Sequence, residues 1–142
     1  MKGIFRKLTV AVVMICAFLV SAMPVCAGTS GVYASRLIAT YVAYVEPSDI
    51  SGELYVYANV DTLHVCEELE VVYLDLYEQQ DNGRWLVVET WSEHQDDNDM
   101  AYVYGYYQGE IGRSYKVEAK FRAKKGSIEE TRTFESSSMI CE

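Results

Sequence analysis

Hydrophobic and polar residues alternate with a period of two along most of the chain after residue 36. Such alternation is typical of half-buried β-strands, and no stretch after residue 36 shows the helical period. Asp81-Asn82-Gly83 predicts a tight turn, because Asn and Gly accept the positive φ that a hairpin needs. The pattern therefore predicts an all-β fold, a seven-stranded antiparallel immunoglobulin-like β-sandwich over residues 37–142. The predicted strands are Leu37–Val45, Glu53–Val60, Leu69–Gln79, Arg84–Ser92, Met100–Gln108, Ser114–Ala123 and Ile128–Glu135.

The same alternation assigns a face to each strand. In the sixth strand Tyr115, Val117, Ala119 and Phe121 are expected in the core. In the third strand, Val72 is expected on the same face as Leu74 and Leu76, and Val71 on the opposite face. In the second strand the aliphatic residues are expected inside, so their tyrosine neighbours must point outward; the inward set is Leu54, Val56, Ala58 and Val60.

Five tyrosines form the candidate ligand-binding surface. The second and fifth strands of this topology lie side by side, so burial of Ala101, Val103 and Gly105 would expose the tyrosines between them. A flat aromatic face suits an extracellular glycan or a protein, since tyrosine offers a rigid apolar ring with a polar tip. Two alternatives stay open: cross-strand pairs that only stabilise the sheet, or a fifth strand with its tyrosines in the core. The candidates are Tyr55, Tyr57, Tyr102, Tyr104 and Tyr106.

The first 27 residues have the three-part pattern of a secretory signal peptide. Basic residues (Lys2, Arg6, Lys7) precede an apolar run from Leu8 to Val20, and Val25-Cys26-Ala27 ends on a small residue. Residues 28–36 are small and polar, which predicts a flexible N-terminal segment. A secreted protein with no integral membrane span after cleavage is expected, and the alternatives are an uncleaved anchor or a lipoprotein acylated on Cys26.

Charge narrows the choice of partners. The formal net charge is −9, and residues 1–27 hold three of the twelve basic residues and none of the 21 acidic ones. The remaining 115 residues thus carry a net charge of −12. A domain this acidic is a poor binder of nucleic acid or of an anionic membrane surface.

Two cysteines, Cys66 and Cys141, remain after residue 27. In an oxidising compartment two such thiols usually pair, so a Cys66–Cys141 disulfide is expected. It requires either a C-terminal tail that folds back or a Cys66 that lies within the sheet. Two free thiols, intermolecular pairing, or a metal site with His64 are the alternatives.

No constellation of residues predicts catalysis. The chain lacks a Gly-x-Ser-x-Gly elbow, a phosphate-binding glycine loop and a His-Glu-x-x-His motif, and no set of nucleophile, base and orienting residue can be assembled from local sequence around His64 or His94. Residues Glu93–Asp99 are predicted to form an acidic loop whose oxygens suit Ca²⁺, but without the glycine and closing glutamate of a calcium-binding loop. We therefore expect a non-enzyme without a cofactor or a dedicated metal site.

Several segments resemble a group of small exported bacterial proteins with an immunoglobulin-like or fibronectin-type-III-like β-sandwich. The resemblance covers about residues 50–136 and is carried by Leu74–Glu78, Trp85–Ser92, Gly112–Ala119 and Gly126–Thr131. It implies the fold and no catalytic residue, because that group has no assigned activity. Tyr115-x-Val117 also resembles the tyrosine corner of such sandwiches, in which the hydroxyl caps the preceding turn.

The sequence thus predicts one of two roles. The first is a secreted non-catalytic module that binds a glycan or protein through its aromatic sheet face. The second is a structural or envelope-associated protein that acts by self-assembly. Ligand and oligomeric state are not encoded in any motif.

Overall fold

The computed structural model describes residues 35–142, and the all-β prediction is confirmed there. The predicted signal peptide and residues 28–34 lie outside the described part. Within residues 35–142 no helix is long and apolar enough to cross a membrane. The strands are β1 (Ile38–Pro47), β2 (Glu53–Gln79), β3 (Trp85–Gln108), β4 (Ser114–Lys125), β5 (Ile128–Glu135) and β6 (Met139–Ile140).

The structure has six strands where seven were expected. The seven predicted segments form the five strands β1 to β5, because two predicted connections continue as strand, and β6 is an additional strand. The second and third predicted strands form one 27-residue β2, and the fourth and fifth form one 24-residue β3. The predicted acidic loop Glu93–Asp99 is wrong: His94 pairs with Glu70 and Asp96 with Glu68 in the β2–β3 ladder. Polar composition suggested a loop, but both partners are themselves polar and lie on an outer face. A short final β6 was not predicted.

Strand β2 is the centre of one antiparallel sheet that forms a half-barrel. Strand β3 pairs with β2 from end to end, across the Asp81-Asn82-Gly83 turn where Gly83 has φ of 77°. The other partners of β2 change along its length: β1 pairs with residues 54–62, and β4 pairs with residues 68–78. Strands β5 and β6 both pair with β4.

The change of partner divides the sheet into two parts. We call β1, residues 53–61 of β2 and residues 100–108 of β3 the aromatic half. The charged half comprises residues 68–79 of β2, residues 85–96 of β3, and β4 and β5. Between the halves the register shifts: five steps from Asp61 to Cys66 face only two steps from Asn98 to Met100. The extra residues on β2, together with a positive φ of 51° at Asp97, mark a bulge between the two parts of the sheet.

Apolar side chains of both halves meet on the inner face. Tyr41 of β1 packs on Phe121 of β4 at 5.6 Å between ring centroids and edge-on to Phe134 of β5 at 6.3 Å. The predicted inward sets of the second and sixth strands are confirmed as fully buried. The prediction for the third strand is wrong at one position: a bulge buries Val71 and leaves Val72 exposed.

Two side-chain caps fix the ends of the half-barrel. The Tyr115 hydroxyl accepts the backbone N–H of Glu110 at 2.9 Å and donates to the Glu78 carboxylate at 2.6 Å. It therefore caps the preceding turn, as the tyrosine-corner resemblance implies. The Glu130 carboxylate accepts the backbone N–H groups of Leu37 at 2.8 Å and Ile38 at 3.3 Å, which fastens the start of β1 to β5.

The predicted Cys66–Cys141 disulfide does not form, and both cysteines are buried free thiols. Cys141 donates its N–H to Arg113, just before β4 begins, whereas Cys66 lies two residues before Glu68, which pairs with Lys124 near the end of β4. The twelve residues of β4 cover about 40 Å of extended chain. The two cysteines therefore lie near opposite ends of β4. A disulfide needs Cα atoms within about 7 Å of each other, so this separation prevents the bond.

Candidate functional site

The predicted tyrosines lie on one outer face of the sheet, in the aromatic half. The ladder pairs Tyr55 with Tyr106 and Tyr57 with Tyr104, so the expected neighbourhood of the second and fifth predicted strands is confirmed. Ala101 and Gly105 between them are buried. Gly105 suits this position because a Cβ there would overlap the Trp91 ring. The alternative with these tyrosines in the core is thereby excluded.

Strand β1 contributes a sixth tyrosine that the sequence analysis did not single out. Tyr44 pairs with Tyr57 across β1 and β2, and their ring centroids are 5.2 Å apart. Its flanking residues Ala43 and Val45 are buried, so the same alternation argument applied to β1 identifies it. We call the six residues together the tyrosine face: Tyr44, Tyr55, Tyr57, Tyr102, Tyr104 and Tyr106.

Five rings of the tyrosine face, those of Tyr44, Tyr55, Tyr57, Tyr104 and Tyr106, pack on one another as a connected set. Tyr55 is its centre, with ring centroids at 5.3 Å to Tyr106, 6.3 Å to Tyr104 and 6.4 Å to Tyr57. These separations are typical of favourable aromatic pairs. The outermost rings nevertheless face solvent, since Tyr102, Tyr104 and Tyr106 are 48%, 56% and 58% exposed.

The phenol hydroxyls of the three inner tyrosines, Tyr44, Tyr55 and Tyr57, stay protonated at neutral pH. Burial among the neighbouring rings raises the pKa of Tyr44, Tyr55 and Tyr57 above 10, and nearby Glu46 raises the pKa of Tyr44 further. Neutral hydroxyls both donate and accept hydrogen bonds. The face therefore offers apolar rings with polar tips.

One end of the tyrosine face opens into an acidic groove of about 770 Å³. Tyr55, Tyr104 and Tyr106 line one wall, and the turn between β1 and β2 lines the other. The carboxylates of the groove come from Glu46, Asp49 and Glu53. Ser48 donates to Glu53 at 2.7 Å, whereas Glu46 and Asp49 have no ion-pair partner among residues 35–142.

A second, smaller groove of about 330 Å³ lies along β3 itself. Tyr102, Val103 and Tyr104 line one side, and Glu93 and Gln95 line the other. Tyr104 is thus shared by both grooves. Each of the two grooves therefore combines exposed tyrosine rings with at least one carboxylate.

Basic side chains are missing from this half. No Lys or Arg occurs from Leu37 to Gly83 or from Trp85 to Gly112. The acidic groove therefore lacks an internal counter-charge on β1, on β3 or on the β2 residues of the aromatic half. The groove carboxylates were not predicted from the sequence, because only the folded β1–β2 turn brings them beside Tyr104 and Tyr106, which are distant in the chain.

On the outer face of the charged half, by contrast, acidic and basic side chains form ion pairs with one another. The Arg122 guanidinium donates to Glu70 at 2.7 and 2.9 Å and to Glu68 at 3.1 Å, and Lys124 donates to Glu68. Hydrogen bonds from these cations, against the cost of desolvation, lower the pKa of both carboxyls. His94 bridges Glu70 at 2.7 Å and Asp96 at 2.9 Å. Glu68 and Glu70 therefore have their counter-charges on the same face.

The described residues offer little for catalysis or for a metal. Within residues 35–142 no group of three His, Cys, Asp or Glu side chains is placed to hold a metal ion. Burial raises the pKa of the Cys141 thiol, which disfavours the reactive thiolate. The arrangement is suited to binding by stacking, hydrogen bonding and charge attraction.

Comparison of the chain with protein-family models, curated proteins and solved structures gives no match.

Proposed function

We propose that this protein is a secreted, non-catalytic binding module that holds an extracellular ligand, a glycan or another protein, on its tyrosine face. The observation that carries the proposal is the layer of six tyrosines on one outer sheet face, three of them about half exposed. Tyrosine is enriched at binding surfaces because it adds contact area at little entropic cost. Folding alone does not require such large rings to face solvent.

The strand arrangement supports an immunoglobulin-like or fibronectin-type-III-like reading of the half-barrel, with kinship to the small exported bacterial proteins described above. Strand β1 and the two strand segments of the aromatic half correspond to one layer, and the charged half corresponds to the other. In this proposal β2 and β3 each run through both layers, which is why the seven predicted segments form the five strands β1 to β5. The tyrosine face is the outer surface of the three-stranded layer.

A pull-down with the chain from Gly28 onward, against cell-wall preparations and a glycan array, tests the binding role. The matched variant carries Tyr55→Ala and Tyr104→Ala. Binding by the parent chain that the double variant loses supports the proposal. Equal capture by both proteins assigns the interaction to another surface and contradicts it.

Secretion is tested separately. Expression of the full chain with its N-terminal 27 residues should release a protein that begins at Gly28 on N-terminal sequencing. An intact Met1 on membrane-bound protein would contradict both cleavage and release.

Self-assembly is the second candidate function, and one observation favours it. Strand β3 pairs only with β2, so the outer edge of this 24-residue strand is free along its length among the described residues. A free edge is a template for another strand. Sedimentation over a range of concentrations would show oligomers if the protein acts this way.

A further inference from the structure

The tyrosine face lies next to the free edge of β3, and the two features together define a ligand class. This inference rests on the binding role proposed above and names its ligand. We propose that the face binds an extended basic peptide, a lysine- or arginine-bearing segment of another protein, which adds as a strand to the edge of β3 at Met100–Gln108.

The backbone supplies the first part of the argument. Among residues 35–142, the 100–108 segment of β3 bonds to β2 on one edge only, so in this part of the chain the other edge presents unpaired N–H and C=O groups. An added strand satisfies these groups through main-chain hydrogen bonds. Every second side chain of that strand then projects onto the face that carries Tyr102, Tyr104 and Tyr106.

Charge supplies the second part. The rings from Tyr102 to Tyr106 span about 13 Å of strand. Glu93, from the charged half, lines the smaller groove beside Tyr102 and Tyr104, and Glu46 and Asp49 line the larger groove beside Tyr104 and Tyr106. With no Lys or Arg on β1 or β3, these carboxylates have no counter-charge in the aromatic half. Ammonium or guanidinium groups fit both the carboxylates and the ring faces beside them.

The same charges argue against other occupants. Two β3 edges paired along their whole length would bring acidic residues against acidic residues, since the strand carries Glu89, Glu93, Asp96, Asp97 and Asp99 and no Lys or Arg. A small free cation would be held by rings that enclose it, whereas these rings lie side by side on an open sheet. A neutral glycan would use the rings but leave the carboxylates without a complement.

The test uses the chain from Gly28 onward with ¹⁵N labelling and two synthetic probes, an alternating lysine–threonine peptide and its glutamate–threonine counterpart. We expect the lysine peptide to bind and to shift the backbone amides of residues 100–108. Raising the salt from 50 to 500 mM should weaken binding at least tenfold. Equal binding of the glutamate peptide, or shifts confined to the charged half, would overturn the inference.

Charge variants test whether the groove carboxylates bind the lysine peptide. The double variant Glu46→Lys with Asp49→Lys should weaken the lysine peptide at least tenfold, and the matched control Glu89→Lys, on β3 but away from the tyrosine face, should leave its affinity within twofold. Both groove residues are exposed, so the variant should fold, and its circular dichroism spectrum checks this directly. An affinity unchanged in the groove variant would overturn the inference.

The tyrosine variant separates this inference from the binding role itself. If Tyr55→Ala with Tyr104→Ala abolishes capture of a neutral glycan while the lysine peptide does not bind the parent chain, the binding role stands and the basic-peptide assignment is wrong. If self-association through β3 appears and the lysine peptide does not compete with it, the occupant is a second copy, and the assignment is again wrong.

Discussion

The two halves of the sheet share two strands but have opposite outer faces. In the charged half, Arg122 and Lys124 neutralise Glu68 and Glu70 within the same sheet. In the aromatic half, exposed rings lie beside Glu46 and Asp49, which have no ion-pair partner among the described residues. A face that satisfies its own charges gains little from a partner. This difference is the reason that we propose recognition by the aromatic half and a supporting role for the charged half.

The inner faces do not share this contrast. Both halves contribute aliphatic and aromatic side chains to one core, and Tyr41, Phe121 and Phe134 join them. The two outer faces can therefore differ in chemistry while the protein unfolds as one unit. Disruption of the shared core should remove the difference altogether.

Phe121→Ala should have the largest effect. Phe121 is fully buried and packs on Tyr41 of the other half. Truncation of a large buried aromatic residue costs about 3–5 kcal/mol, so the free energy of unfolding should fall by that amount. Urea unfolding followed by tryptophan fluorescence measures it. Two separate transitions in the parent chain, one for each half, would contradict a single shared core.

Glu130→Gln should have the next largest effect, since it loosens β1 of the aromatic half from β5 of the charged half. Glu130 accepts the N–H groups of Leu37 and Ile38, and charge-assisted bonds of this kind contribute about 1.5–3 kcal/mol. Although burial alone would raise the pKa of Glu130, hydrogen bonds from Ser35 and the β1 backbone and the charge of Arg132 lower it overall.

The pH dependence of this effect has a defined sign. Because the folded pKa of Glu130 lies below its ordinary 4.5, its contribution is complete above the unfolded pKa and is lost as the pH falls through the folded one. The parent chain should therefore lose more stability than Glu130→Gln between pH 5 and pH 3. Parallel acid-unfolding curves for the two proteins would show that this carboxylate does not fasten β1.

Tyr55→Ala with Tyr104→Ala should separate binding from stability. Cross-strand tyrosine pairs contribute about 0.2–1 kcal/mol each, so the double variant should lose less than about 2 kcal/mol while ligand binding disappears. The matched pair Tyr73→Ala with Tyr77→Ala, on the charged half, should leave binding unchanged. A loss of 3–5 kcal/mol from Tyr104→Ala alone would mean that this ring is part of the core.

Alternation predicted the faces well wherever pairing is regular. It placed Tyr55 and Tyr104 outside because each strand must bury Val56 or Gly105, and that constraint is local. It failed at Val72, where a bulge inserts one residue and reverses the phase. A bulge depends on the partner strands and not on the local pattern.

Long-range features were the least accessible from sequence. The acidic stretch Glu93–Asp99 has a loop-like composition. Its residues nevertheless pair with Glu68 and Glu70 of β2, which lie more than 20 residues earlier in the chain. The cysteine pairing failed for a similar reason: only the path of β4 shows that Cys66 and Cys141 lie at opposite ends. The acidic groove likewise exists only after the β1–β2 turn has folded onto the tyrosines.

His94→Gln should have the smallest effect and tests whether the charged half satisfies itself. Hydrogen bonds to Glu70 and Asp96 raise the pKa of His94 above its ordinary 6.5. A raised folded pKa contributes stability that is complete below the unfolded pKa and is lost as the pH rises through the folded one. The parent chain should therefore melt at a slightly lower temperature above this pH window than below it, and the variant should show no such step.

Since His94 is exposed, the shift in melting temperature should be small and should shrink as salt screens the pair. Melting curves at pH 6 and pH 8 measure it, and an NMR titration of the imidazole gives the pKa. An imidazole that titrates below 6.5 would mean that His94 does not pair with Glu70 and that Arg122 alone provides its counter-charge. The charged half would then balance its charges through its basic side chains, without a contribution from histidine.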